Sequence, residues 1–359
     1  MTLVAAFRQK ETPILIGDFL ITAGATARGS RKKICRIADN FAIGWTGNLL
    51  AATRVISALR GRFRGGRPTA ADVERFLTTY PTTDLGDLRV HIIGWILAET
   101  DVCFCWNSSW PTQLFEEPYH YDGSGGPRFM QRAGEDGQRP QIGHADPVVA
   151  AVCSVGLLML DEITWRSNQQ AGFGYGYEIL FARDSAFHYV DGITWAFAQA
   201  CFSQQGKYMR TDVVPRVCTN RTFGELSVYQ IDELNPGHDT LHSDVVTPPF
   251  DFDRAEVDGL LRRLQGQNAP VVGDHLCLMM NMVRDADTPN PRPITPLIFT
   301  KWPGDSGEPF VDLTFTPSGA QGLNGTYHFK LPDGPFLEQI FARVMAARLK
   351  GNADPKQSA

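Results

Sequence analysis

The segment 147–167, PVVAAVCSVGLLMLDEITWRS, constrains the fold more than any other. Its length and spacing predict one long helix, and its apolar residues cover nearly the whole circumference rather than one stripe. A helix with no polar face must be covered on both sides. It is therefore expected between layers, as in a protein whose helices pack against sheets.

The rest of the chain supplies those sheets. Segments 3–8 and 13–22 read as a hairpin turned at Glu11-Thr12-Pro13, and 33–37 and 41–46 as a second strand pair around Ala38-Asp39-Asn40. Segment 48–61 places Leu49, Leu50, Val55, Ile56 and Leu59 on one helical stripe, with Asn48 as cap. The basic run 60–67 ends that helix as a solvated terminus, and Thr69 caps a second helix over 70–80. Strands follow at 88–98 and 101–106, then a Gly123-Ser124-Gly125-Gly126 turn, a polar loop over 130–146, the apolar helix, and strands at 177–182 and 186–190. Strands, two helices, strands, helix, strands make a layered α/β protein.

The chemistry concentrates near the start. Met1 precedes a small side chain and is expected to be removed, which leaves Thr2 as the terminal residue. A terminal threonine carries a hydroxyl and an α-amine together. The amine has an ordinary pKa of roughly 7.7–8.0, so it can serve as base for its own hydroxyl. Gly17-Asp18 ends the second strand, and Lys32-Lys33 opens the next one. A carboxylate and an ammonium beside the hydroxyl would hold it and lower its pKa. Gly44-Trp45-Thr46-Gly47 lies where a strand gives way to a helix, and a backbone N–H exposed there suits an oxyanion.

This ordered set resembles the start of proteasome β-subunits and of the bacterial peptidase HslV, in the N-terminal-nucleophile hydrolase family. The matching residues are Thr2, Gly17-Asp18, Thr22-Ala23-Gly24, Lys32-Lys33-Ile34-Cys35-Arg36, Gly44-Trp45-Thr46-Gly47 and Gly123-Ser124-Gly125-Gly126. The resemblance implies an αββα sandwich over residues 2–200 and an amide or peptide hydrolase. In it Thr2 is the nucleophile, Lys33 lowers the hydroxyl pKa and Asp18 orients Lys33 and Thr2. Gly44 N–H, with Gly47, receives the oxyanion, and Ser124 supports the amine. Thr22, Gly24 and Gly47 line the substrate cleft, where an extended peptide adds as a strand. The resemblance also implies a homo-oligomeric ring, an ATPase partner, and no metal or organic cofactor.

The family carries an aspartate just after its long helix, and this sequence has none there. Asp161 lies one or two turns too early, and Ser167 and Asn168 are the stand-ins. Two rival readings follow: a catalytically inactive scaffold or assembly protein on the same fold, and a non-peptide amidohydrolase of the same superfamily. Nothing in the resemblance covers residues 201–359. They read as a β-rich domain or extension (201–349) with strands at 226–231, 275–283, 295–301, 309–315 and 326–331 and helices at 253–265 and 335–349, then a frayed tail over 350–359.

Other motifs are weaker. Gly304-Asp305-Ser306-Gly307 looks like a serine-protease signature, but no histidine base stands in a matching context, and a turn is the simpler reading. His238 and His242 have zinc-helix spacing, but their neighbours predict a surface loop. Seven scattered cysteines give no disulfide framework and fit reduced thiols in a cytoplasm, and MTLVAAF lacks the features of a secretory leader. A net charge of −5 argues against a nucleic-acid partner, and no apolar run is long enough to predict a membrane span.

Overall fold

The computed structural model describes residues 2–23, 26–136, 146–165, 168, 171–202, 209–235, 238–265, 273–284, 292–302, 312–318 and 324–330. The chain opens with β1 (Val4–Gln9), β2 (Thr12–Asp18), β3 (Leu20–Ala23), β4 (Thr26–Ser30), β5 (Ile34–Ala38) and β6 (Phe41–Gly47). Helices α1 (Leu49–Phe63) and α2 (Ala70–Thr78) lead to β7 (Val90–Ile96), β8 (Val102–Asn107), β9 (Leu114–Glu116) and β10 (His120–Asp122). Helices α3 (Gly126–Asp136) and α4 (Pro147–Trp165) precede β11 (Tyr177–Arg183) and β12 (Ala186–Tyr189). The remainder is β13 (Ile193–Phe202), β14 (Met209–Phe223), β15 (Leu226–Asn235), β16 (His238–Val246), α5 (Arg254–Leu264), β17 (His275–Arg284), β18 (Arg292–Lys301), β19 (Asp312–Ser318) and β20 (Asn324–Lys330).

Two five-stranded sheets face one another. The first runs β10-β1-β2-β11-β12 and the second β5-β6-β7-β8-β9. Alternation along β1 and β2 explains their unbroken apolar sequences. Val4, Ala6 and Leu15 point into the space between the sheets, against Ile34, Ala42, Ile93 and Trp95 of the second sheet. Leu3, Ala5, Ile14 and Ile16 point the opposite way, toward α4. Helices α1 and α2 cover the far face of the second sheet, where Val55, Ile56, Leu59, Val73 and Leu77 meet Phe41, Ile43 and Trp45. Asn48 caps α1 through Leu50 N and Ala51 N, and Thr69 closes a capping box with Asp72.

A third sheet, β16-β15-β14-β13-β17-β18, accounts for the apolar circumference of α4. Leu158, Val155 and Val152 of that helix share a core with Ile16, Tyr177 and Ile179 of the first sheet, and the same core continues into Trp195, Phe197, Cys218, Cys277 and Met279 of the third. Gly156 lets that sheet close on the helix: a Cβ there would lie 3.0 Å from Met279 Sδ and 3.2 Å from Trp195 Cδ1.

Strand β13 begins before residue 200, runs through it and sits in the middle of the third sheet, paired with β14 and parallel to β17. Two expectations change. The first part of the expected 130–146 loop is the end of α3. His238 and His242 lie on strand β16, paired with Asn235 and Ile231, rather than in a loop. The Gly304 motif, the 335–349 helix and the 350–359 tail lie outside the described residues. Among the described residues, no group of three or more metal-ligating side chains gathers, and no helix is long and apolar enough to cross a membrane.

Candidate active site

The site forms where the first residues of β1 meet the end of β2. Thr2 is 3 % exposed, Asp18 and Lys33 are buried, and none of these polar side chains would be sealed away without partners. Thr2 Oγ1 donates to Asp18 Oδ1 at 2.6 Å, Leu3 N donates to the same oxygen at 3.0 Å, and Gly174 N donates to Asp18 Oδ2 at 2.8 Å. Burial pushes the Asp18 carboxyl above the usual carboxylate range, while the Lys33 charge and these three hydrogen bonds oppose the rise. Burial also lowers Lys33, to about 8, against the raising effect of Asp18. The Lys33 ammonium donates to Leu20 O at 2.9 Å and lies 4.8 Å from the centre of the Trp45 ring.

Local sequence explains this closeness. A Cβ at Gly17 would sit 3.0 Å from Lys33 Cβ and 2.8 Å from Ile34 Cγ2, so glycine lets β2 close on the lysine strand. The loop 171–176 wraps Asp18 from the other side. Phe19 N donates to Gly176 O, Leu20 N donates to Gly174 O, and Gly172, Gly174 and Gly176 all have positive φ. Glu162 of α4 holds this loop by accepting from Tyr175 N at 3.3 Å.

That carboxylate was missed in the sequence, although the signal was there: Asp161-Glu162 is an acidic pair closing an otherwise apolar helix. Asp161 itself pairs with Arg128 at 3.4 Å. Asn168 is buried and donates to Leu158 O at 2.8 Å. Ser167 lies outside the described residues.

The turn at 123–125 meets Thr2 from the β10 side. Gly125 N donates to Thr2 O at 3.1 Å. Any side chain at Gly123, whose φ is +84°, would collide with that carbonyl. Ser124 is exposed at the tip of this turn.

Gly44 requires a correction. Along β6, Trp45 N donates toward β5, to Lys33 O at 2.9 Å, while Asn48 N donates to Arg89 O at 2.7 Å, on the β7 side. Strand alternation therefore directs the Gly44 N–H to Ile93 in the β6–β7 ladder, not to an oxyanion. Its glycine identity has another cause: a Cβ there would run into Val4 Cγ1. The same alternation turns the Gly47 N–H toward the Lys33 side, at the exposed end of the strand, past the start of β5. Thr22 sits on β3 opposite Ala27, and Gly24 lies outside the described residues.

A polar row beside this site also escaped the sequence reading. Thr46, His91 and Asn107 stand side by side on β6, β7 and β8, and Asp122 reaches them from the edge of the first sheet. No family model matches the chain, and no curated protein sequence aligns with it.

Proposed function

We propose that this chain is an N-terminal-nucleophile hydrolase of amide or peptide bonds, in which Thr2 becomes the attacking residue once Met1 is removed. The observation that carries the reading is the 2.6 Å hydrogen bond from Thr2 Oγ1 to a buried Asp18 carboxylate that is itself under the influence of Lys33. The two facing sheets, with α1–α2 outside one and α3–α4 outside the other, support αββα layering. The third sheet is then an added layer beyond α4.

In this reading the α-amine of Thr2 takes the hydroxyl proton and later delivers it to the leaving nitrogen. Lys33, as an ammonium, stabilises the oxygen as it loses that proton; Asp18 holds the Thr2 hydroxyl, and Leu20 O holds the Lys33 ammonium. The Gly47 N–H supplies the hydrogen bond to the tetrahedral oxyanion. Attack by Oγ1 forms an acyl-enzyme ester, which water hydrolyses to free Thr2.

One observation favours a second reading, an inactive scaffold: Thr2 is 3 % exposed, so little of it faces solvent. Intact mass of the purified chain, followed by incubation with a peptide epoxyketone, separates the two. The hydrolase is expected to lack Met1 and to gain one adduct that maps to Thr2 and disappears in Thr2→Ala. A chain that retains Met1 and takes no label is the scaffold. Labelling that persists in Thr2→Ala would falsify the assignment of the nucleophile.

A further inference from the structure

The polar row on β6, β7 and β8 ends the space between the first two sheets. Moving along the inner face of the second sheet, Ala42, Gly44, Ile93 and Cys105 give way to Thr46, His91 and Asn107 at a single register. Asp122, paired with Val4 at the edge of the first sheet, crosses to meet them.

Its carboxylate uses both oxygens. Oδ2 accepts from Thr46 Oγ1 and from His91 Nδ1 at 2.8 Å, and Oδ1 accepts from Gly123 N at 2.6 Å. Burial pushes the Asp122 carboxyl up, but the hydrogen bonds from His91, Thr46 and Gly123 outweigh it and hold the group below the usual carboxylate range. The imidazole is fixed in turn. Asn107 Oδ1 accepts from Ser109 N at 2.8 Å, which leaves Asn107 Nδ2 to donate to His91 Nε2 at 2.8 Å. His91 therefore presents Nδ1–H to Asp122, and its other nitrogen is occupied, so it is not a free base for Thr2.

The two ends of this network are the two halves of the candidate site. Thr46 immediately precedes Gly47. Gly123 packs on the Thr2 carbonyl, which Gly125 N also holds. We infer that Asp122, oriented by His91 and Asn107, is a positioning residue that clamps the Thr46-Gly47 peptide of one sheet and the 123–125 turn of the other at a fixed separation across Thr2. The inference rests on Thr2 being the nucleophile. Its physical basis is preorganisation: an oxyanion donor and a nucleophile carried on different sheets work only if their spacing is held, and a displacement of about 1 Å costs on the order of 100-fold in rate.

The Asn side chain has one acceptor oxygen, so Asp122→Asn cannot serve donors on both sheets. Full-length Asp122→Asn, Thr46→Val, His91→Leu and His91→Gln are compared with the wild type. The measurements are thermal midpoint, kcat and KM on a peptide amide, and the rate of Thr2 labelling by the epoxyketone. Asp122→Asn and Thr46→Val are expected to lose about 10- to 100-fold in kcat and in labelling rate, with KM changed by less than about threefold. His91→Leu falls with them, while His91→Gln, which keeps a donor toward the carboxylate, stays within about threefold of the wild type.

A folded Thr46→Val with wild-type kcat and labelling rate overturns the clamp and leaves the role of Thr2 intact. So does a rise in KM at unchanged kcat. Wild-type protein that never labels at Thr2 overturns both. Should Asp122→Asn fail to fold, Thr46→Val and His91→Leu decide the matter by the same criteria.

Discussion

Lys33 loses hydration almost completely, and its pKa falls from 10.5 to about 8 despite the attraction of Asp18. Two pH effects follow, with opposite outcomes for activity and stability. In the proposed mechanism a free α-amine on Thr2 acts as base only when neutral, with an ordinary pKa of roughly 7.7–8.0, whereas Lys33 stabilises the alkoxide only as an ammonium. The expected kcat/KM profile is a narrow bell centred near pH 8. It rises as the amine deprotonates and falls as Lys33 does. In Lys33→Arg the alkaline limb should vanish, because a guanidinium does not titrate in this range, whatever the drop in overall rate. An alkaline limb unchanged in Lys33→Arg would remove the ammonium from the mechanism. Stability responds in the other direction. Between about pH 8 and 10.5 the unfolded chain binds the proton that folded Lys33 has released, so this group adds stability as pH rises through that window.

Strand β6 shows how an element positions chemistry without supplying it. Gly44 is the point where the second sheet approaches Val4, two residues beyond Thr2, and a methyl group there would collide with Val4 Cγ1. Gly44→Ala is expected to destabilise the chain by about 1–3 kcal/mol through overpacking, and to lower Thr2 reactivity by displacing β1. Trimming the obstructing side chain should relieve it. The double variant Val4→Ala/Gly44→Ala is predicted to recover most of the labelling rate lost by Gly44→Ala alone, measured by epoxyketone labelling and urea denaturation. Equal labelling rates in the single and double variants would show that β6 does not set the position of Thr2.

Across the whole molecule, the third sheet touches the candidate site at two places. Tyr229 of β15 lies where a Cβ on Gly176 would be, and packs against Phe19 and Tyr175, so it backs the loop that holds Asp18. Beside it, Lys32 and Glu178 form an ion pair at 2.9 Å with both side chains almost wholly buried. Ser227 of β15 donates to the same Glu178 oxygen at 2.6 Å, and Lys32 N donates to Thr247 O at 3.0 Å. The residue next to Lys33 is thus anchored to the later part of the chain. Removing one charge strands the other: Lys32→Met is expected to cost about 3–5 kcal/mol, and Lys32→Met/Glu178→Leu to recover most of it. Chemical denaturation of the three proteins checks this. A Lys32→Met protein as stable as wild type would mean that the pair does not bind the sheets together.

Local pattern determined most of the elements. Alternation marked the hairpins, a 3.6-residue stripe and an Asn cap marked α1, and an apolar circumference announced a helix covered on both sides. Thr2, Asp18 and Lys33 came forward as candidates through the ordered motifs that resemble the N-terminal-nucleophile family; the β1–β2 hairpin explains only why Asp18 returns to the residue where the first strand begins. Tertiary structure alone decided what covers α4, since no local rule says that strands more than a hundred residues later, such as β17, will stack on it. It also decided that the Gly44 N–H belongs to a ladder and that Glu162 holds the glycine loop. The Thr46, His91, Asn107 and Asp122 cluster is the clearest case. Its members are far apart in sequence, and each alone is an ordinary strand residue. Only the register of three strands in one sheet, and the approach of a second sheet, turn them into one network.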